Sequence, residues 1–146
     1  MSLPHLLEFD ILHHYDFRVS GIEVPVGISL VGNTVDFVAK LDTGASLCVF
    51  QRQYGELLGL RIETGRSQWV STATGRFLTY GHPVTLEVLG LSFETTAYFA
   101  ADPQYSRNVL GRWPLVAGHG RIILASRATD QCKEKEMTCP RPCRRF

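Results

Sequence analysis

Long apolar runs are missing from this chain. No stretch approaches the roughly 18 consecutive apolar residues of a membrane-spanning helix. The segment from Met1 to Asp16 carries Glu8, Asp10 and three histidines, His5, His13 and His14. A secretory leader would place a basic start and an apolar stretch there, so neither a signal peptide nor a membrane partner is expected, and a cytoplasmic location is. Excess charge of one sign is missing too: 15 Lys and Arg stand against 14 Asp and Glu, a net charge of +1. That balance gives no broad attraction to nucleic acid. Cysteine is scarce and lopsided, with three of the 4, Cys132, Cys139 and Cys143, near the end of the chain. A structural zinc site uses four ligands, so these three are expected to be free thiols of a reducing compartment, and no metal is expected. No phosphate-cradling glycine loop or internal repeat is present, and no cofactor is expected.

What is present reads mostly as strands. Ile22 to Leu30 and Thr34 to Leu41 are apolar at alternate positions and flank Gly32-Asn33, a good two-residue hairpin turn. Thr85 to Leu89 and Ser92 to Phe99 flank a second turn, Leu89-Gly90-Leu91. One helix is predicted from Arg52 to Leu58, closed by Gly59 just beyond its end. Cys48 falls in the apolar run Leu47-Cys48-Val49-Phe50 and is expected to be a small core residue. His13 and His14 are expected at the surface. Short strands punctuated by glycine predict an all-β chain, a small closed barrel with one or two short helices.

Leu41-Asp42-Thr43-Gly44-Ala45-Ser46 follows the strand Thr34 to Lys40. An Asp leaving a buried strand into a Thr-Gly turn holds its carboxylate at the floor of a cleft. Asp before Gly is also ordinary turn chemistry, and the tripeptide alone would read as a turn. The alternating strand before it and the apolar run after it shift that balance. With these flanks, the stretch resembles the active-site loop of aspartic proteases. It occurs once in 146 residues, whereas that chemistry uses two carboxylates sharing a proton. The resemblance is therefore to the retropepsin-like, retroviral-type members of the family, in which a second chain supplies the second Asp.

Two further elements support the resemblance. Asn108-Val109-Leu110-Gly111-Arg112 is similar to the family's hydrophobic-hydrophobic-Gly-Arg element, whose Gly lets its strand pass close to the catalytic loop. In the family a short helix follows, here at Trp113-Pro114-Leu115. Between the two lies Val70 to Tyr80, two short strands around a Thr-Gly turn. The residues alone read as a surface hairpin; their place after Asp42 is that of the family's flap. In viral enzymes an Asp follows Gly-Ala and pairs with the Arg of the Gly-Arg element. Ser46 stands there in this chain, as in many cellular and bacterial relatives.

The resemblance implies a domain at residues 19–125 and an N-terminal extension at 1–18, and the polar, Pro-containing composition that follows predicts a mobile Cys- and Arg-containing tail at 126–146. It implies an aspartic endopeptidase acting as a homodimer on peptide or protein substrates, with Asp42, Thr43 and Gly44 as the catalytic loop. Ala45 and Ser46, and Ala73, Thr74, Gly75 and Arg76 of the flap, would hold the peptide, and Val109, Leu110, Gly111 and Arg112 would be structural. Lys40 lies two residues from Asp42 and so shares its face; with Arg107 it either lines the substrate pocket or is a solvated surface charge. A module of this fold that dimerises or binds peptides without cutting them is the alternative.

Overall fold

A computed structural model describes residues 11–16, 18–112 and 122–126. Its strands are β1 (Ile11–Tyr15), β2 (Ile22–Leu30), β3 (Asn33–Asp42), β4 (Val49–Phe50), β5 (Arg66–Thr72), β6 (Gly75–Val88), β7 (Leu91–Ala100), β8 (Val109–Gly111) and β9 (Ile122–Ser126). Helix α1 (Arg52–Leu57) and a 3-10 turn at Ile62–Thr64 lie between β4 and β5. Strand order β2-β3-β8-β4-β7-β6, with β6 pairing back onto β2, closes a six-stranded barrel, and β5 extends it as the outer arm of the β5–β6 hairpin. The expected all-β closed barrel is what forms. Outside the ring, β1 and β9 make a separate two-stranded parallel sheet.

Alternation builds the core. β2 turns Val24, Val26 and Ile28 inward, β3 turns Phe37 and Ala39, and β6 turns Val84, Leu86 and Val88. Ala97 and Phe99 of β7 meet them, with Phe50 and Leu110 from the two shortest strands. Each large side chain removed from water contributes about 1.5–3 kcal/mol, so the inward face fixes which way each strand must lie. Tyr54 of α1 stacks on Phe37 at 4.3 Å and seats the helix against the barrel. The helix ends with Gly59 at φ 85, whose N–H donates to the Glu56 carbonyl while Leu60 N–H reaches back to Gly55. This is the glycine stop read from the sequence, with the last helical residue one position earlier.

Two readings of the turns need correction. The first hairpin turns at Val31-Gly32 rather than Gly32-Asn33: both turn residues are left-handed, at φ 46 and 85, and Asn33 already pairs with Leu30. The reason is a tertiary bond. The Asn33 side-chain amide donates to the Leu58 carbonyl at 3.2 Å, so Asn33 ties the barrel to the end of α1 and leaves the unfavourable φ to a β-branched valine. The second hairpin likewise turns at Leu89-Gly90, both with positive φ, and its strands extend from both sides up to that pair.

β6 is also one continuous strand where the sequence suggested two. Pro83 lies within it, between the last pairing with β5, at Gly81, and the first with β2, at Thr85. No ladder on that edge needs its nitrogen, the setting in which a strand tolerates proline.

Candidate active site

Asp42 is the last residue of β3, where that strand pairs in parallel with β8: Lys40 opposite Val109, Leu41 opposite Leu110, Asp42 opposite Gly111. Immediately after Asp42 the chain turns. Gly44 N–H donates to the Asp42 carboxylate at 2.9 Å, and Ala45 N–H donates to the Asp42 carbonyl at 3.1 Å. Asp42, Thr43, Gly44 and Ser46 are exposed in the single protomer, while Cys48, Val49 and Phe50 dive into the core. The turn is thus held at its base and presents its carboxylate to solvent.

β8 fixes the turn from behind. Arg112 N–H donates to the Ala45 carbonyl at 2.8 Å, and Gly111 N–H points at the Cys48 sulfur at 3.3 Å. A Cβ on Gly111 would sit 2.3 Å from the Leu47 carbonyl oxygen and 3.0 Å from that of Ala45. Only glycine permits this crossing. Leu110 of the same strand is fully buried in the core, while Val109 beside it is half-buried. Among the described residues no carboxylate lies within salt-bridge distance of Arg112, in keeping with Ser46 at the position that is Asp in viral enzymes.

Asn108 makes a larger contribution than its place in the motif suggested. Its carbonyl accepts from Lys40 N–H at 2.9 Å, its side-chain amide donates to the Val38 carbonyl at 3.1 Å, and its side-chain oxygen accepts from Gln51 N–H at 3.1 Å. One residue therefore links β3, β8 and the start of α1. A buried His82 also escaped the sequence reading. Its Nε2–H donates to the Ile62 carbonyl at 2.9 Å and its ring lies beside Phe99, so it anchors the 3-10 turn to β6. An apolar strand offers no sequence signal for such a bond.

Burial pushes the Cys48 thiol up to about 12, only partly opposed by the Gly111 N–H. The group therefore stays protonated and inert near neutral pH. The expected core placement is correct.

The β5–β6 hairpin has Ala73-Thr74 at its tip, and Gly75 opens β6 opposite Thr72. The turn expected at Thr-Gly thus falls one residue earlier. The Thr72 hydroxyl donates to the Gly75 carbonyl at 3.0 Å and closes the tip. On one face of the hairpin, Arg76 stacks 4.8 Å above Trp69, which is 53% exposed. On the other face Phe77 stacks on Tyr105 at 4.9 Å, which joins the hairpin to the loop preceding β8. Burial raises the Tyr105 phenol above its usual value, and nearby Arg107 opposes the rise.

Lys40 and Arg107 are both exposed. Val38, Lys40 and Asp42 share the outward face of β3, as the alternation predicted, and Lys40 stands across from Glu23 on β2. His13, half-buried in β1, donates from Nε2 to the Glu23 carbonyl at 2.8 Å, and His14 is exposed. Among the described residues no three His, Cys, Asp or Glu side chains gather in a way that could hold a metal ion. The expected helix at Trp113-Pro114-Leu115, the segment 1–10 and the tail with Cys132, Cys139 and Cys143 lie outside the described residues.

A six-stranded barrel that offers one Asp-Thr-Gly turn, pinned by a glycine crossing from a second strand, is a retropepsin-like protomer. The chain belongs to the aspartyl protease family: the model of that family matches residues 24–112, from the start of the barrel through the Gly-Arg element. Among solved structures the chain is similar to the EIAV protease complexed with the inhibitor HBY-793, with 25% identity and a TM-score of 0.52 over 66% of this chain and 86% of that one. No curated protein matches it.

Proposed function

We propose that this protein is an aspartic endopeptidase that acts as a homodimer. The observation that carries the reading is the single exposed Asp42 on a turn held by Gly44 and braced by Gly111 and Arg112. One protomer offers one such carboxylate, and the chemistry uses two. Paired across a two-fold axis, the two Asp42 groups hold one proton between them and titrate as a unit. The ionised carboxylate takes a proton from a water that attacks the scissile carbonyl. The protonated one donates to the carbonyl oxygen, and a proton then passes to the departing nitrogen. Thr43 would bond across the axis to the partner's loop.

Backbone at the exposed Gly44 and Ser46 suits the pairing of an extended peptide, which is recognition by strand addition, with the half-buried Ala45 between them held by Asp42 and Arg112. The hairpin tip, Ala73 to Arg76, would act as the flap that closes over the substrate and excludes water. Lys40 shares the outward face of Asp42, and with Arg107 it would favour acidic side chains near the scissile bond.

Asp42→Asn tests the reading. The change is nearly isosteric, so fold and dimer should persist while cleavage of a denatured protein mixture, followed over a pH series with and without pepstatin, is lost. Wild-type turnover in the purified variant would make Asp42 a structural turn residue. Dimerisation without any cleavage by the native protein would favour a peptide-binding module instead.

A further inference from the structure

The loop that joins β7 to β8, Ala101 to Asn108, is held at both ends by adjacent residues at the start of α1. At one end the Arg52 guanidinium donates to the Ala101 carbonyl at 3.2 Å, while also donating to Glu56 at 2.7 Å and to Glu63 at 2.5 Å. At the other end the Asn108 side-chain oxygen accepts from Gln51 N–H at 3.1 Å. Within the loop, the Asp102 carboxylate accepts from Gln104 N–H at 2.8 Å and the Asp102 carbonyl from Tyr105 N–H at 3.2 Å. Pro103 fixes one backbone angle between them. From Asp102 to Arg107 every residue is exposed except Tyr105, which is half-buried. Clamped at its ends and bonded across its middle, the loop is a rigid bracket that presents one aromatic ring.

That ring meets the β5–β6 hairpin. β6 pairs with β7 from Thr79 onward, and the Leu78 carbonyl accepts from Ala101 N–H at 2.9 Å just beyond that ladder. From Gly75 to Leu78, among the described residues, β6 pairs with β5 alone, so the hairpin stands out from the barrel as a two-stranded arm. A two-stranded arm has little stability of its own in water. Phe77 rests on Tyr105 with ring centroids 4.9 Å apart and planes inclined by 26°. Ala101 thus serves both pieces: its carbonyl is held by Arg52, and its N–H supports the hairpin at Leu78. At its far end the bracket runs on into β8, which braces the Asp42 turn, with Asn108 bonded to Lys40 and Val38.

We propose that the loop from Ala101 to Asn108 is a fixed rest for the flap, and that Arg52 and Tyr105 are positioning residues which act on substrate only through it. This rests on the protease reading above. The rest sets where the hairpin stands relative to the Asp42 turn before substrate arrives. The competent flap position is then well populated in the free protein, and apparent affinity is not reduced by time spent in other positions. Arg52 suits the task because its planar fork serves two carboxylates and a carbonyl at once, a geometry that a lysine ammonium does not match. Glu56 and Glu63 fix the direction of the guanidinium, so the position of a surface helix is carried by Ala101 and Tyr105 to the flap.

Two measurements test it: hydrogen exchange of peptides covering 70–78, read by mass spectrometry, and KM with kcat on one peptide substrate. Tyr105→Leu removes the ring and should raise both hairpin exchange and KM by about two- to tenfold, the worth of one aromatic pair, with kcat nearly unchanged. Tyr105→Phe keeps the ring and should behave as the wild type. Arg52→Lys keeps the charge but loses the fork, and should move both readings in the same direction by a similar factor. Thr64→Ala is the control: it breaks the bond from the Thr64 hydroxyl to the Arg61 carbonyl in the neighbouring 3-10 turn, and should lower Tm while moving neither reading. Wild-type hairpin exchange in both Tyr105→Leu and Arg52→Lys overturns the proposal. So does a loosened hairpin with an unchanged KM, or an equal response in Thr64→Ala. A response to Tyr105→Leu alone removes Arg52 from it. Loosening in the expected pattern, in a protein that cleaves nothing in its native form, would overturn the protease reading and leave the bracket standing.

Discussion

Gly111→Ala should damage the Asp42 turn more than any other single methyl addition in the barrel. The new Cβ would lie 2.3 Å from the Leu47 carbonyl oxygen, 2.6 Å from its carbon and 3.0 Å from the Ala45 oxygen. All three are backbone atoms, so no rotamer change relieves the clash. Restoring ordinary carbon–oxygen contact needs a movement of about 1 Å between β8 and the loop 45–47, in a tightly packed region. Overpacking on this scale costs roughly 1–3 kcal/mol, which in a domain of this size lowers Tm by about 3–15 °C. Activity should fall further than stability, since a displacement of about 1 Å in a catalytic group can cost on the order of 100-fold in rate. Differential scanning fluorimetry and kcat on one peptide measure the two effects.

Gly90→Ala is the matched control for that experiment. Nothing lies within 4 Å of its Cβ position, but φ is +81, so it should lose modest stability from backbone strain and keep kcat. If Gly111→Ala melts and cleaves like the wild type, the crossing is not close in solution and the account of the turn fails.

Asn108→Ala leaves the Val38 carbonyl and Gln51 N–H without their partners and should destabilise by about 1–3 kcal/mol, read as a lower urea midpoint with unchanged slope. An unchanged midpoint would show that water replaces both bonds at no cost. Phe77→Ala and Tyr105→Ala should couple by about 0.5–1.5 kcal/mol in a double-mutant cycle on stability, and each should raise KM more than it lowers kcat; strict additivity would mean that the stack does not hold the hairpin to its neighbouring loop. The Cys48 thiol, raised in the fold from its usual 9.0 to about 12, contributes stability that is complete below pH 9 and is lost as pH rises toward 12. Cys48→Ala should flatten that alkaline limb, and a limb identical to wild type would assign it to other groups.

The barrel was legible because its inward residues alternate: Val35, Phe37, Ala39 and Leu41 share a face in sequence, and that face packs against the core. The Asp42 turn was legible because Asp-Thr-Gly and Val-Leu-Gly-Arg each carry a backbone requirement that few residues satisfy. The turn positions were not. Asn33 looked like a turn residue because its side chain suits left-handed backbone, and it was claimed instead by a bond to Leu58, 25 residues away in sequence. The run ending at Tyr80 and the run from Thr85 to Leu89 looked like two strands, and only the order of strands reveals one, with Pro83 where neither β5 nor β2 pairs. The bonds of His82 and Asn108 are likewise long-range outcomes with no local pattern.

The parallel pairing of β1 with β9 has a mechanical consequence. Ile11 lies beside Ile122 and Tyr15 beside Ser126, five register pairs in all. Because the strands run the same way, a pull on the chain before Ile11 and after Ser126 acts at opposite ends of the ribbon. Such a load is shear, and the hydrogen bonds between the strands must yield together; an antiparallel pair joined to the same two ends would open one bond at a time, like a zip. Domains fused to either end, or a translocating motor gripping one of them, would therefore meet a clasp at the chain ends before any force reached the barrel that carries Asp42.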